Sequence, residues 1–365
     1  MAKLSTSFSR FARIARSCAT AAILLGVPVA VSACQGSTQA STQPAPQQPP
    51  QYQPYPPQQP YGYPPQQPPY YGPQQPPPHA PQPPQAPVQP PSTTRPLLPP
   101  LIGAAAQQQE VRNILAELIS ALSSQNQALV RGIPLTFDPT IEVNAFAGCD
   151  EQGAPFLAAT AGMLEAVDAI SQTKATDELF GTQTYEQYSA TVLPQLVKSD
   201  KARAALPAGI IPANLGPDPR RWSRARELFD DIIAFTFGHE LAHHYLGHTG
   251  CARGQAMGNA PDPARLGRLL SIVPLFNQAG EAASDSAGCV NALDAGRRRR
   301  PQYEWSETGG VLLLDYFARI ERAGGGGGPL SLLNPVQFLR THPNPLARIP
   351  VVQTVARTWR AQHPG

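Results

Sequence analysis

Apolar positions beyond residue 100 recur with two different periods. Val111, Ile114, Leu115, Leu118, Ile119 and Leu122 stand three or four apart, which predicts an amphipathic helix running to about Val130. Residues 141–147 and 155–159 are short β-like runs, separated by the turn-rich stretch from Gly148 to Gly153. Residues 161–172 return to helical spacing. Asp218-Pro219 pairs a capping carboxylate with proline at a first helical position, so a helix should start there. It carries Leu228, Ile232, Ile233, Phe235 and Leu241 and should stop near Gly247 and Gly250. Further helices are predicted over Gly280–Leu293, Gly310–Arg322 and Val351–Gln362. The pattern predicts an α+β fold, mostly α, with one small β-sheet.

Composition divides the chain. Residues 41–100 hold more than half of its 44 prolines, with Gln and Tyr making up much of the remainder. Such a stretch lacks both ladder donors and aliphatic surface, so it cannot build a core. Residues 34–100 read as a disordered tether that extends as polyproline II at about 3.1 Å per residue. Its tyrosines, Tyr52, Tyr55, Tyr61, Tyr63, Tyr70 and Tyr71, offer contact with cell wall, although a plain spacer is the simpler reading. The folded domain is expected over 101–365. A net charge of +3 without a repeated basic motif gives no reason to expect nucleic acid as a partner. The Arg297–Arg300 run reads as a solvated loop.

The N-terminus reads as an export signal. Lys3, Arg10, Arg13 and Arg16 precede an apolar stretch from Ala19 to Ala33, shorter than the roughly 20 residues a membrane span needs. It ends in Val31-Ser32-Ala33-Cys34, which resembles the bacterial lipobox. Residues 1–33 would then be removed and Cys34 lipidated. Gln35, where Asp is absent, resembles lipoproteins held on the periplasmic side of a Gram-negative outer membrane. Cys18 is lost with the signal. Cys149, Cys251 and Cys289 remain, enough for one bridge and one free thiol, with the pairing open.

His239-Glu240-Leu241-Ala242-His243 lies inside the helix that starts at Asp218. Two histidines four apart project from one helical face and can reach one ion, while Glu240 is offset towards a water on that ion. A catalytic zinc needs a third protein ligand. Glu281 on a later helix is the candidate, with Asp285 one turn on to accept the far N–H of a ligand histidine. Spacing alone leaves Glu281 equally readable as a solvated helix acid. His248 does not complete a metzincin pattern, since the required Gly and His places hold Leu246 and Thr249. His244 and His248 read as packing or surface residues on another face of the same helix.

Several ordered motifs stand beside these residues: Asn144-Ala145-Phe146-Ala147, Thr160-Ala161-Gly162-Met163-Leu164, the zinc helix with His248, and Glu281 to Asp285 followed by Gly288. Ser284 takes the place of an Ala in the last of them. Thr341-His342-Pro343 with Arg348-Ile349 closes the series. Over about residues 140–350 the chain resembles the zinc metallopeptidase family of HtpX, the CAAX prenyl endopeptidase, Oma and BepA, nearest its soluble periplasmic branch. The resemblance implies a helical zincin-like (gluzincin) peptidase domain with one zinc ion per chain, held by His239, His243 and Glu281. Glu240 is then the general base, and Asp285 orients a ligand. His342, backed by Arg348, is either the oxyanion donor or, at rest, a fourth ligand. The strand Asn144, Ala145, Phe146, Ala147 would pair with unfolded or extended polypeptide as substrate. Pro350 should interrupt a helix running through Arg348. The alternative is a zinc-containing binding lipoprotein without catalysis.

Overall fold

The computed structural model describes residues 95–254, 278–299, 303–325, 342 and 344–364. The signal segment, Cys34 and most of the tether lie outside the described residues. The fold is α+β and mostly helical, with one small mixed sheet. In chain order the elements are α1 (Ala104–Ala121), α2 (Ser124–Val130), β1 (Leu135–Asp138), β2 (Ala145–Cys149), β3 (Pro155–Thr160), α3 (Ala161–Phe180) and α4 (Thr184–Lys198). These are followed by α5 (Pro219–Tyr245), α6 (Gln278–Arg297), α7 (Thr308–Ala323) and α8 (Pro345–Gln362). Among the described residues no helix is long and apolar enough to cross a membrane.

Local chemistry explains most boundaries. The helix predicted to run to Val130 is broken after Ala121, because Ser123 accepts from the Asn126 N–H and starts a new helix. Thr160 caps α3 by accepting from the Met163 N–H at 3.0 Å. Asp218 caps α5 through the Arg220 N–H at 2.8 Å, with Pro219 next to it. Helix α8 does not break at Pro350, contrary to the expectation. It starts at Pro345, so the ring removes only the bond to the Leu346 carbonyl, close to a helix start where such losses are smallest.

The sheet has the order β1-β3-β2, with β1 parallel and β2 antiparallel to β3. Strand β2 starts at Ala145 rather than Ile141. Strand β1 and helix α4 lie outside the predicted elements: β1 is four residues long, and in α4 Pro194 interrupts the helical spacing of Tyr185, Tyr188, Val192, Leu193 and Leu196. Ala145, Ala147, Leu157 and Ala159 turn one sheet face into the main core.

Helix α5 is the axis of that core and packs against α6, α3, α7 and α1. Its crossing with α6 is a backbone contact. A Cβ on Gly288 would lie 2.5 Å from the His239 nitrogen, and one on Gly238 would lie 2.7 Å from the Gly288 carbonyl oxygen. Neither helix can give way there without moving the residues next to it. Gly288→Ala is therefore expected to lower stability by about 1–3 kcal/mol or more through overpacking. Urea unfolding of wild type and variant would measure this, and equal midpoints would show that the crossing tolerates a methyl group.

Candidate metal centre

The α5–α6 contact sets Glu281 opposite His239 and His243. The two histidine Nε2 atoms are 2.9 Å apart. Glu281 Oε1 is 3.4 Å from His243 Nε2, and Oε2 is 3.6 Å from His239 Nε2. Tetrahedral bonds of about 2.0–2.1 Å would separate ligand atoms by roughly 3.3 Å, so the three atoms have the spacing of ligands around one ion. His342 joins them: a ligand atom from each of His239, His243, Glu281 and His342 lies within 4.8 Å of the others, and all four residues are buried. The cluster could hold a metal ion.

Charge supports the same reading. Glu240, Glu281 and Asp285 are buried carboxylates facing one buried guanidinium, Arg348. With the imidazoles neutral, as ligands must be, two negative charges remain, which a divalent cation would balance. Neither Glu281 oxygen receives a well-directed hydrogen bond, although Arg348 Nη1 stands 2.8 Å from Oε2 as an ion pair. A fully buried carboxylate left so incompletely bonded is the expected state of a ligand that points at a cation site.

The surrounding contacts orient the set. Asp285 Oδ1 lies 3.0 Å from His239 Nδ1, on the ring edge away from Glu281. The contacts of Arg348 are with the acidic residues of α6. Its Nε and Nη2 each donate to Asp285 at 2.7 Å, in a bidentate pair. It therefore fixes the two α6 carboxylates. Glu240 shares its oxygens between the Ala147 N–H, at 2.8 Å, and His342 Nε2, at 3.3 Å.

These contacts set the protonation states. Burial would raise Glu281, but His342, His243, His239 and Arg348 together hold it well below the carboxylate range. Burial likewise raises Asp285 and is outweighed by Arg348 and His239, and in Glu240 it is outweighed chiefly by His342. Burial pushes His243 down to about 4, which leaves it neutral and able to bind metal at ordinary pH. In His342 burial is the largest influence and lowers the pKa, yet Glu281 and Glu240 reverse it and raise the imidazole above its ordinary value.

Strand β2 is an edge strand of the described sheet. The Thr160 N–H donates to the Asn144 carbonyl and the Asn144 N–H to Thr160 Oγ1, both towards β3, so Ala147, an odd number of residues on, turns its N–H outward, to Glu240. Asn144, Ala145, Phe146 and Ala147 are all fully buried. The stretch expected to meet polypeptide is thus an edge facing the centre, but a closed one.

The seat of His248 escaped the sequence reading. His248 is not on the helix, which ends at Tyr245. Gly247, at φ 80°, turns the chain back and sets His248 Nδ1 3.0 Å from His243 Nδ1. Glycine four residues after His243 was the signal for that turn. His244 is a packing residue: it is fully buried and sits 3.0 Å from the Phe156 carbonyl and 3.0 Å from Thr249 Oγ1. The cysteines pair as Cys149–Cys251, tying the end of β2 to the segment after α5. Cys289 is free and buried, and burial pushes its thiol up to about 12.

Comparison with protein-family models, with curated proteins and with solved structures found no match to this chain.

Two expectations follow from this geometry. Protonated His342 competes with a cation, and its pKa lies above the ordinary 6.5. Metal affinity should therefore rise as pH increases through and beyond that value, and the rise should flatten in His342→Ala. Chelator competition between pH 5.5 and 8 reads both slopes, and parallel curves would exclude His342 from the ligand set. Cys251→Ser should cost about 2–5 kcal/mol, because the bridge closes a sequence separation of 102 residues. Denaturant midpoints check this value.

Proposed function

We propose that the chain is a zinc-dependent endopeptidase acting on unfolded or extended polypeptide. The observation that carries the reading is Glu240: a carboxylate adjacent in sequence to His239, directed at the edge of the ligand cluster and held below the usual carboxylate range. A purely structural metal site has no need of such a base. The motifs shared with the HtpX-type metallopeptidases support the same class. A bound zinc ion would supply Lewis acidity and bring the pKa of a water at the site to about 7.

His239, His243 and Glu281 bind, Asp285 and Arg348 hold their orientation, and Glu240 takes the proton of the attacking water and returns it to the leaving nitrogen. His342 would donate to a developing oxyanion after leaving the ligand set. A substrate segment would pair along β2, where the Ala147 N–H now serves Glu240. A lipid on Cys34 and the proline-rich tether would hold this domain on the periplasmic side of an outer membrane, and misfolded envelope proteins are then the substrate class.

A second reading has an observation in its favour. The four-residue ligand set is fully buried and Glu240 is already engaged on both oxygens. Such a closed site suits a zinc-containing binding lipoprotein that holds clients without cutting them. The full chain, loaded with zinc and mixed with unfolded casein, separates the two. The peptidase reading expects cleavage that falls by roughly 10²–10⁴-fold in Glu240→Gln while bound zinc is unchanged. Absence of cleavage in wild type and in His342→Ala alike, with zinc bound, would leave the binding reading.

A further inference from the structure

We propose that His248, seated by Gly247 and Ser284, is a positioning residue that fixes the tautomer and orientation of His243 for metal binding. The inference rests on the metal-centre reading and extends it to residues outside the ligand set.

The argument begins with the two nitrogens of His243. Its Nε2 faces the cluster, 2.9 Å from His239 Nε2 and 3.4 Å from Glu281 Oε1. Its Nδ1 faces away, 3.0 Å from His248 Nδ1. Two ring nitrogens at that separation repel unless one of them carries a proton. If His243 gives the Nε2 lone pair to a cation, its proton must sit on Nδ1. His248 Nδ1 must then accept, with its own proton on Nε2. The contact therefore permits only one tautomer for each ring in the loaded state.

Geometry beyond the pair holds His248 to this task. Helix α5 ends at Tyr245, and Gly247, at φ 80°, reverses the chain. The Gly247 N–H bonds to the His244 carbonyl and the Thr249 N–H to the His243 carbonyl, so the turn lies over the last helical turn. A side chain with a Cβ at Gly247 would strain that turn. From the other side, the fully buried Ser284 places Oγ 3.2 Å from the same His248 Nδ1. Ser284 stands between Glu281 and Asp285 on α6. One helix thus provides a candidate ligand, the carboxylate that orients His239, and the hydroxyl that seats the partner of His243. Each α5 histidine has its outer nitrogen held: His239 by Asp285, His243 by His248.

The test uses the full chain and zinc alone, with affinity read by competition against a chromogenic chelator. His248→Phe keeps ring bulk and removes the acceptor, and is expected to weaken zinc binding by about 10–100-fold. His248→Asn restores an acceptor oxygen and is expected to recover most of that loss. Imidazole ¹⁵N spectra of the zinc-loaded wild type should place the proton of His243 on Nδ1 and that of His248 on Nε2. These spectra decide the matter should His248→Phe fail to fold. Wild-type affinity in His248→Phe, or a proton on Nδ1 of His248 in the loaded protein, would overturn the proposal. A wild type that takes up no zinc would instead bring down the metal-centre reading, and this inference with it.

Discussion

The backbone contact of α5 with α6 at Gly238 and Gly288 governs the rest of the structure. His239 follows Gly238 directly. Asp285 precedes Gly288 by one turn and Glu281 by two, so all three lie on the face that the contact brings together. Two helices with ordinary side chains at their crossing stay about 8–10 Å apart. The closer approach at the two glycines goes with Glu281 oxygens standing 3.4 and 3.6 Å from the two imidazoles.

That approach concentrates charge in a place without water. Three carboxylates, one guanidinium and three imidazoles are buried within the same few turns. Each is acceptable there only through the others, since an unpaired buried ion is costly. Arg348 bridges Asp285 and Glu281, and His342 lies between Glu281 and Glu240. The same contacts that hold the carboxylates low raise His342, so the cluster is one electrostatic unit. Glu240 links this unit to the sheet through Ala147, which couples events at the centre to the edge of β2.

Around the centre the chain is stitched at points that are distant in sequence. The disulfide Cys149–Cys251 and the contacts of His244 with Phe156 and Thr249 fasten the end of α5 to the sheet. The turn at Gly247 places His248 against His243 from that fastened segment. These constraints bear on orientation more than on which residues meet, and they lie where a metal site gains affinity from fixed ligands.

The sequence by itself determined the helices that carry a clear period or a clear start. The periodic positions of α1 and α5, the Asp218-Pro219 start and the two histidines four apart follow from helix geometry alone, and so does the mostly helical class with a small sheet. Asp285 beside His239 was legible for the same reason, being one turn from Glu281. Tertiary structure decided what depends on chain segments far apart. Spacing left Glu281 as ligand or solvated acid, and only the glycine crossing brings it to His239 and His243. Three cysteines allowed any pair, and only the approach of β2 to the end of α5 selects Cys149 with Cys251. His248 carried a local signal that gave the wrong neighbours. Pro350 spoke for a helix break that its place near the helix start makes cheap, and the i, i+4 count ran His248 past the point where Gly247 ends the helix. Local rules fix an element and its faces, whereas which faces meet depends on the packing of whole elements, where a missing Cβ outweighs every nearby preference.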